Sequence, residues 1–196
     1  MSLENNPLTR VLIMGVPWVQ ERVKSVAEIR RQVPEAEPVW DEKRDAMDTW
    51  RKVLRTAGDD PVVILEDDIT LTANWRTRVE AAIEEHPESI IQFFSMRKAD
   101  LTEGSRWEPG RTFMMNQCYY LPATYARQLL DYSQGWEEAN PEYRTGYDIT
   151  MARWMQENKL KYWVHVPSLV QHRAWRSEIQ PKRPRNRQSS TFQQGD

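Results

Sequence analysis

Val62-Val63-Ile64-Leu65-Glu66-Asp67-Asp68 is the stretch that decides the fold, because an uninterrupted apolar run passes directly into three carboxylates. Four consecutive apolar residues without polar alternation are typical of a strand that is buried on both faces. Strands of this kind form parallel sheets whose two faces are covered by helices. Ligands in open sheets of this class bind at the carboxyl ends of the strands, so the three acids lie where a ligand is expected.

Strand-like and helix-like segments alternate on both sides of this stretch. Apolar runs predict strands over residues 10–16, 38–41, 61–65, 89–94, 112–121 and 161–166. Apolar positions at helical spacing predict helices over 23–33, 47–57, 75–83, 122–132 and 148–157. Residues 97–111 are polar and are interpreted as a long loop. The sequence therefore predicts an α/β fold: one Rossmann-like domain over residues 1–172, with a mostly parallel central sheet and helices on both faces.

The composition is that of a globular protein with a polar surface. The chain has 196 residues, of which 39% are hydrophobic and 29% charged, and this length corresponds to one domain. The longest uncharged run, 112–126, is too short and too polar to span a bilayer. The N-terminus has no basic start followed by an apolar core, and the single Cys118 excludes an internal disulfide and a cysteine-based zinc site. We expect a cytoplasmic protein without a membrane partner, in the host cytoplasm if the chain is viral.

Charge is distributed unevenly along the chain. The formal net charge is −2, yet residues 173–187 hold six basic side chains and one acidic side chain. A basic segment after an acidic body suggests contact with a polyanion, whereas the alternative is a solvated, disordered tail. We interpret residues 173–196 as a basic, flexible C-terminal tail whose last residues, 188–196, are loose.

The acidic triplet Glu66-Asp67-Asp68 needs a compensating charge, since three adjacent carboxylates at one strand end repel one another. A hard divalent cation such as Mg²⁺ or Mn²⁺ that carries a diphosphate would provide it. The alternative is a solvated acidic turn in which Asp68 or Asn74 serves as a turn or cap residue.

Residues 63–69, Val-Ile-Leu-Glu-Asp-Asp-Ile, with Trp75 downstream, resemble the Glu-Asp-Asp form of the DxD motif. That motif marks A-type (GT-A fold) nucleotide-sugar glycosyltransferases, and the chain is similar to N-acetylglucosaminyltransferase I and to lipopolysaccharide-type glycosyltransferases. The resemblance implies that Asp68 binds Mn²⁺ (or Mg²⁺) directly and that Glu66 and Asp67 contact the ribose or the base. It follows the order of the elements along most of the chain and is specific around this motif and at the C-terminal strand.

Two further strand ends fit the same template. The resemblance implies that the loop after the first strand, with Pro17, touches the nucleotide, and that Asp41 after the second strand reads the base or the ribose. The alternative for Asp41 is the N-cap of the helix that begins near Arg44. Neither GxGxxG nor GxxxxGK occurs in the sequence, which disfavours dinucleotide-binding and P-loop folds.

Among the three histidines, His172 is the candidate metal ligand. It follows Pro167-Ser-Leu-Val-Gln, and this segment resembles the C-terminal part of many A-type transferases, in which a histidine returns to the metal. The alternative is an ordinary surface histidine. We interpret His86 as a cap at a helix end and His165 as structural.

Asp148 is the candidate catalytic base. It stands at a predicted helix start, and the resemblance implies that an acid near this element deprotonates the acceptor hydroxyl in inverting enzymes. The alternative is a helix N-cap, for which Asp is strongly preferred. Glu142, Glu137 and Glu138 are further candidates for the base.

The resemblance therefore implies a metal-dependent glycosyltransferase that moves a hexosyl or N-acetylhexosaminyl group from a nucleotide-diphosphate sugar, with a UDP-sugar as the expected donor. The basic segment after His172 favours a polyanionic acceptor, and one hypothesis is a hydroxymethylated base in DNA, as in viral DNA hypermodification. A saccharide or a protein side chain is the other class of acceptor. The alternative functions are a nucleic-acid-binding module without catalysis and a nucleotidyltransferase.

Overall fold

The computed structural model describes residues 9–141, 146–175 and 187–195. Its strands are β1 (Arg10–Gly15), β2 (Glu37–Trp40), β3 (Val62–Glu66), β4 (Ile69–Leu71), β5 (Ile90–Gln92), β6 (Arg106–Pro109), β7 (Cys118–Leu121), β8 (Lys161–Val164) and β9 (Val170–His172). Its helices are α1 (Gln20–Gln32), α2 (Ala46–Ala57), α3 (Trp75–Glu85), the single turn α4 (Asp100–Glu103), α5 (Tyr125–Ala139) and α6 (Tyr147–Glu157). None of the helices in these ranges is long and apolar enough to cross a bilayer.

Within the described residues, a seven-stranded sheet in the order β2-β1-β3-β7-β5-β8-β6 forms the centre of the fold. β1 pairs in parallel with β2 and β3, and β5 pairs in parallel with β8. β7 is antiparallel to β3 and β5, and β6 is antiparallel to β8. The predicted α/β fold with a mostly parallel central sheet is confirmed, since five of these seven strands share one direction, and β6 and β7 run in the other.

Helices cover both faces of the sheet, as the apolar runs predict. Alternate residues of β3 point to opposite faces: Val63 and Leu65 pack with α1 and α3, whereas Val62 and Ile64 pack with α2, α5 and α6. Because both faces of the strand are buried, its sequence shows no polar alternation. The buried apolar run thus fixes β3 in the middle of the molecule and puts the acids that follow it at one edge of the sheet.

Several predicted segments differ from the structure: the predicted strand 89–94 is the shorter β5, and the predicted helix 122–132 is α5, which runs to Ala139. The predicted loop 97–111 contains α4 and β6, and the predicted strand 112–121 begins only at Cys118. Before β7, the side-chain amide of Gln92 donates to the carbonyl group of Met115 at 3.2 Å. Met115 also has a left-handed φ of 70°, which interrupts extended backbone.

β4 and β9 form a separate antiparallel pair that the apolar pattern does not predict. Each strand has three residues, which are too few to show a period of two. The two strands are in register at Ile69 and His172. The C-terminal part of the chain therefore returns to the end of β3.

Residues 187–195 lie against this small sheet, so the prediction of a loose end is wrong for residues 188–195. Gln171 exchanges two hydrogen bonds with the backbone of Ser189, and the Ser189 hydroxyl bonds to that of Ser168 at 2.8 Å. Residues 176–186, which hold most of the basic side chains of this segment, lie outside the described residues. The division of the chain into a domain and a tail stays a prediction.

Candidate active site

The end of β3 and the end of β9 bring Asp68 and His172 together. Asp68 lies in the turn between β3 and β4, and the register of β4 with β9 places His172 beside it. Asp68 Oδ2 and His172 Nε2 are 3.1 Å apart, and the two residues are 4% and 0% exposed. The two predicted metal ligands are therefore buried side by side at the carboxyl edge of the sheet, the edge where β1, β2 and β3 end.

Arg22 supplies a charge that compensates the acids. It lies in α1 and is 6% exposed, and its Nη1 is 2.6 Å from Asp67 Oδ1 and 2.8 Å from Asp68 Oδ2. The prediction missed this residue although the sequence contains a signal for it. Arg22 precedes Val26 and Ile29 at helical spacing, so it lies on the buried stripe of α1, where a charged side chain needs a partner of opposite charge.

Asp67 holds the backbone rather than facing a ligand. Its Oδ1 accepts from Arg22, and its Oδ2 accepts from the backbone amide of Val16 at 2.7 Å. Both carboxylate oxygens are occupied, and the residue is almost fully buried. In this arrangement Asp67 ties the loop after β1 to the end of β3, and its predicted contact with a nucleotide would require it to give up one of these bonds.

Glu66 is partly exposed and links β3 to α6. Tyr147 OH donates to its Oε1, and Gln117 Nε2 donates to its Oε2 at 3.2 Å. The Tyr147 ring in turn stacks on Trp50, with the ring centroids 5.9 Å apart. Burial and the nearby charge of Asp68 raise the pKa of Glu66 to about 8, so this carboxyl is mostly protonated at neutral pH.

Asp68 has the opposite shift. Burial alone would raise its pKa, but the hydrogen bond with His172 and the charge of Arg22 lower the pKa of Asp68 to about 2. Of the two outer acids of the triplet, Asp68 is thus the ionised one at neutral pH. A fixed negative charge in a buried position suits contact with a cation.

His172 Nε2 has two neighbours, one that accepts a hydrogen bond and one that donates it. Its Nε2 lies 3.1 Å from Asp68 Oδ2 and 2.7 Å from Nη2 of Arg187. A protonated Nε2 donates to Asp68, whereas a bare Nε2 accepts from Arg187, so one protonation state cannot satisfy both neighbours. The bare nitrogen is also the form that binds a metal ion.

Several buried polar atoms at this edge have no hydrogen-bond partner within the described part of the chain. They are Asp68 Oδ1, His172 Nδ1, Gln117 Oε1 and both amide atoms of Asn116. Asn116 and Gln117 lie here because β7 runs antiparallel to β3, which puts the start of β7 beside the end of β3. Leaving a buried polar atom unpaired costs about 1–3 kcal/mol, so these atoms indicate a site for a polar ligand or ordered water.

Asp148 lies in the first turn of α6, directly after Tyr147, whose hydroxyl contacts Glu66. Gly146 is the N-cap of this helix, so the interpretation of Asp148 as the N-cap is wrong. The half-buried Asp148 accepts from the amide of Ile149 through Oδ1. The predicted base is therefore on the helix end that contacts the end of β3.

The ends of β1 and β2 carry the other predicted nucleotide contacts. Pro17 is exposed in the loop after β1. Asp41 is buried, and its Oδ1 accepts from the amides of Lys43 and Asp45 at 3.0 and 3.1 Å. The N-cap of α2 is Asp45, so the alternative role of Asp41 as that N-cap is wrong: it closes the turn before the helix.

The remaining sequence candidates have other surroundings. Glu137 and Glu138 are exposed on α5, and Glu137 pairs with an arginine of α2. Glu142 lies outside the described residues. His86 is the C-cap of α3, as predicted, and burial lowers the pKa of the half-buried His165 to about 4.

The Asp68–His172 pair fits a divalent cation that an anionic ligand completes. Asp68 Oδ1 is buried without a hydrogen-bond partner in the described residues, although Oδ2 is engaged by Arg22 and His172. A carboxylate together with an imidazole is suitable chemistry for Mn²⁺. A group of three or more His, Cys, Asp or Glu side chains suited to a metal is not found in the described ranges.

No protein-family model and no curated protein sequence matches this chain. Among solved structures, it is similar to A197 from STIV, with 14% identity, a TM-score of 0.46 and coverage of 94% of this chain and 98% of that chain. It is similar to a glycosyltransferase involved in the glycosylation of the major capsid of PBCV-1, with 10% identity, a TM-score of 0.38 and coverage of 81% and 94%. Mouse xyloside xylosyltransferase 1 in its apo form follows, with 11% identity, a TM-score of 0.37 and coverage of 81% and 84%. Because all three TM-scores lie below 0.5, function is inferred from the site itself.

Proposed function

We propose that this chain is a metal-dependent glycosyltransferase of the GT-A type, which moves a sugar from a nucleotide-diphosphate sugar to an acceptor hydroxyl. The observation that carries the proposal is the buried Asp68–His172 pair at the carboxyl edge, with its spacing of 3.1 Å and the unpartnered Oδ1 of Asp68 among the described residues. A carboxylate and an imidazole alone leave most coordination positions of a divalent cation open. A diphosphate is the ligand that would fill them with matching charge.

Asp68 and His172 would hold the cation, and the cation when bound supplies Lewis-acid stabilisation of the diphosphate leaving group. Pro17 and Asp41 flank the place expected for the nucleoside, at the ends of β1 and β2. Glu66 is the acid of the triplet that keeps an exposed surface for the ribose. Asp67 supports this arrangement through the Val16 amide.

Asp148 is proposed as the general base. It lies on the end of α6 that contacts β3 and is half-buried, so it can face an acceptor at the same edge. The acceptor oxygen attacks the anomeric carbon, its proton passes to the Asp148 carboxylate, and the bond from the anomeric carbon to the diphosphate oxygen breaks. The nucleoside diphosphate leaves with the electron pair of that bond.

The acceptor is proposed from charge alone. The basic residues after His172 suit a polyanion, and a hydroxymethylated base in DNA offers both the charge and the hydroxyl. Binding of the intact chain to DNA should weaken steeply with salt and be lost when Lys182, Arg183 and Arg185 are replaced by Gln. If these substitutions leave DNA binding unchanged, a saccharide or a protein side chain becomes the preferred acceptor.

The proposal is tested by thermal shift and by hydrolysis assays with a panel of nucleotide sugars, each with and without Mn²⁺. We expect Mn²⁺-dependent stabilisation by at least one donor and loss of turnover in Asp68→Asn. Asp131→Asn, an exposed acid on α5, is the matched control and should behave as the wild type. Metal-dependent turnover that survives in Asp68→Asn would overturn the assignment of this residue. Absence of any donor-dependent stabilisation would instead favour a non-catalytic nucleic-acid-binding module.

A further inference from the structure

Arg22 is a residue of the candidate site to which the proposed reaction assigns no role. Its guanidinium is buried in α1 and contacts two neighbouring carboxylates through one nitrogen, Nη1. Asp68 and Asp67 raise the pKa of Arg22 further above its ordinary value although burial opposes this, so the side chain stays charged at every working pH. The site thus contains a permanent internal cation.

The two aspartates that contact Arg22 differ in how many of their carboxylate oxygens are hydrogen-bonded. With Oδ1 bonded to Arg22 and Oδ2 to the Val16 amide, Asp67 is fixed as part of the scaffold. Asp68 has only Oδ2 engaged, by Arg22 Nη1 and by His172 Nε2, so its Oδ1 is left without a partner in the described structure. The guanidinium therefore contributes, with His172, to the orientation of the proposed metal ligand.

The same charge acts on any cation that approaches Asp68. Two carboxylates and one guanidinium leave Asp67, Asp68 and Arg22 with a combined charge of about −1, and Arg187, whose Nη2 lies 2.7 Å from His172 Nε2, adds a second positive charge beside the pair. A divalent cation held by Asp68 would be repelled by the guanidinium, because Arg22 Nη1 is only 2.8 Å from Asp68 Oδ2. Asp68 and His172 alone then hold a cation weakly, and negative charge brought by a diphosphate offsets the repulsion.

We propose that Arg22 is a positioning residue that keeps the Asp68–His172 site from retaining a divalent cation until an anionic diphosphate arrives. The inference rests on the proposed function, because it takes Asp68 as a metal ligand. It concerns the affinity for the cation in the absence of nucleotide, and that affinity should follow the net charge of Arg22, Asp67 and Asp68.

A charge series tests the inference through Mn²⁺ binding, measured by electron paramagnetic resonance of free Mn²⁺ without nucleotide. Arg22→Met makes the cluster more negative by one charge and should bind Mn²⁺ about tenfold or more tightly than the wild type. Asp67→Asn makes it less negative and should bind more weakly. The double variant Arg22→Met/Asp67→Asn restores the charge of the wild type and should return to its affinity, because the carbonyl oxygen of the substituted side chain can still accept from the Val16 amide.

Arg22→Lys separates charge from packing. The lysine side chain is shorter but keeps the positive charge, so the Mn²⁺ affinity of Arg22→Lys should stay within about threefold of the wild type. If Arg22 had a purely structural role, Arg22→Lys and Arg22→Met should have similar Mn²⁺ affinities. Arg30→Met, an exposed arginine of the same helix, is the matched control. If Arg22→Met does not fold, the Mn²⁺ affinities of the other proteins still test the inference. The wild type and the double variant should then have similar affinities, and Asp67→Asn should have a lower one.

Two outcomes overturn the inference in distinguishable ways. If the wild type binds Mn²⁺ in the presence of UDP but the affinities without UDP do not follow the charge order, the role of Arg22 fails and the proposed metal site stands. If the wild type binds Mn²⁺ neither alone nor with UDP, the metal site and the role of Arg22 fail together. An affinity order that follows charge supports the inference.

Discussion

Two adjacent aspartates of one sequence motif have different chemistry because their partners differ. Both carboxylate oxygens of Asp67 accept hydrogen bonds, from Val16 and Arg22, whereas one oxygen of Asp68 has no partner among the described residues. Glu66, the residue before them, is held by Tyr147 and Gln117 and has a raised pKa. At the scale of single residues, the chemical role of each acid therefore depends more on the side chains that contact it than on its position in the motif.

The raised pKa of Glu66 predicts a pH dependence of stability. Between about 4.5 and about 8, the folded protein keeps a proton on Glu66 that the unfolded chain has lost. The contribution of Glu66 to the free energy of unfolding is therefore largest below the lower value. It declines as the pH rises through this window, by at most about 1.4 kcal/mol per pH unit. Glu66→Gln cannot titrate, so the free energy of unfolding of the variant minus that of the wild type should increase with pH up to about 8 and then level off.

Urea denaturation at several pH values on both sides of this window checks the prediction. Glu138→Gln, an exposed substitution on α5, is the control and should show a difference from the wild type that does not change with pH. A pH-independent difference for Glu66→Gln as well would mean that Glu66 titrates at its ordinary value in the folded protein.

At the scale of elements, the pair β4–β9 delivers the histidine to the acids. Its strands have only three residues each, so hydrophobic periodicity could not predict them. The direction of β7 was equally hidden, since an apolar run does not say which way its strand pairs, and Asn116 was missed as a consequence. Arg22 was different: a charged residue on the apolar stripe of α1 was visible in the sequence.

The register of β4 with β9 should be essential for metal binding. A glycine inserted between Gln171 and His172 shifts the histidine by one position and turns its side chain to the other face of the pair. We expect the insertion to abolish Mn²⁺-dependent stabilisation by a nucleotide sugar while a cooperative melting transition remains. A glycine inserted in the exposed turn between Asp59 and Asp60 is the control and should keep the response to Mn²⁺. A Mn²⁺ response that survives the first insertion would exclude His172 as a ligand.

At the scale of the whole molecule, the sequence was most informative where segments are long and apolar. β1, β3, α1, α2 and α6 lie close to their predicted ranges, because burial on both sheet faces or along one helix stripe leaves a periodic pattern. The mixed direction of the sheet and the packing of residues 187–195 depend on contacts between distant segments, and local pattern does not record them. The acids at the end of β3 were found since a buried strand and its polar end are adjacent in the chain.

The packing of residues 187–195 predicts that the C-terminus contributes to stability. Its backbone accepts from Gln171 at Ser189 and from the Ala73 amide at Gln194. Truncation after residue 186 removes these bonds and should lower the free energy of unfolding by about 2 kcal/mol, which is roughly 4–8 °C in Tm for a chain of this size. Removal of residues 195–196 alone keeps both bonds and should leave Tm unchanged. If the chain truncated after residue 186 has the same Tm as the full chain, this segment is loose in solution.

The pairing of β4 with β9 also has a consequence for the timing of biosynthesis. Asp68 leaves the ribosome about 100 residues before His172, which at roughly 5–20 residues per second is about 5–20 s of translation. During that interval Arg22, made earlier still, is already available to pair with both aspartates. The nascent chain thus contains the acids and their arginine partner well before the histidine, and the proposed ligand pair is complete only when synthesis is almost finished.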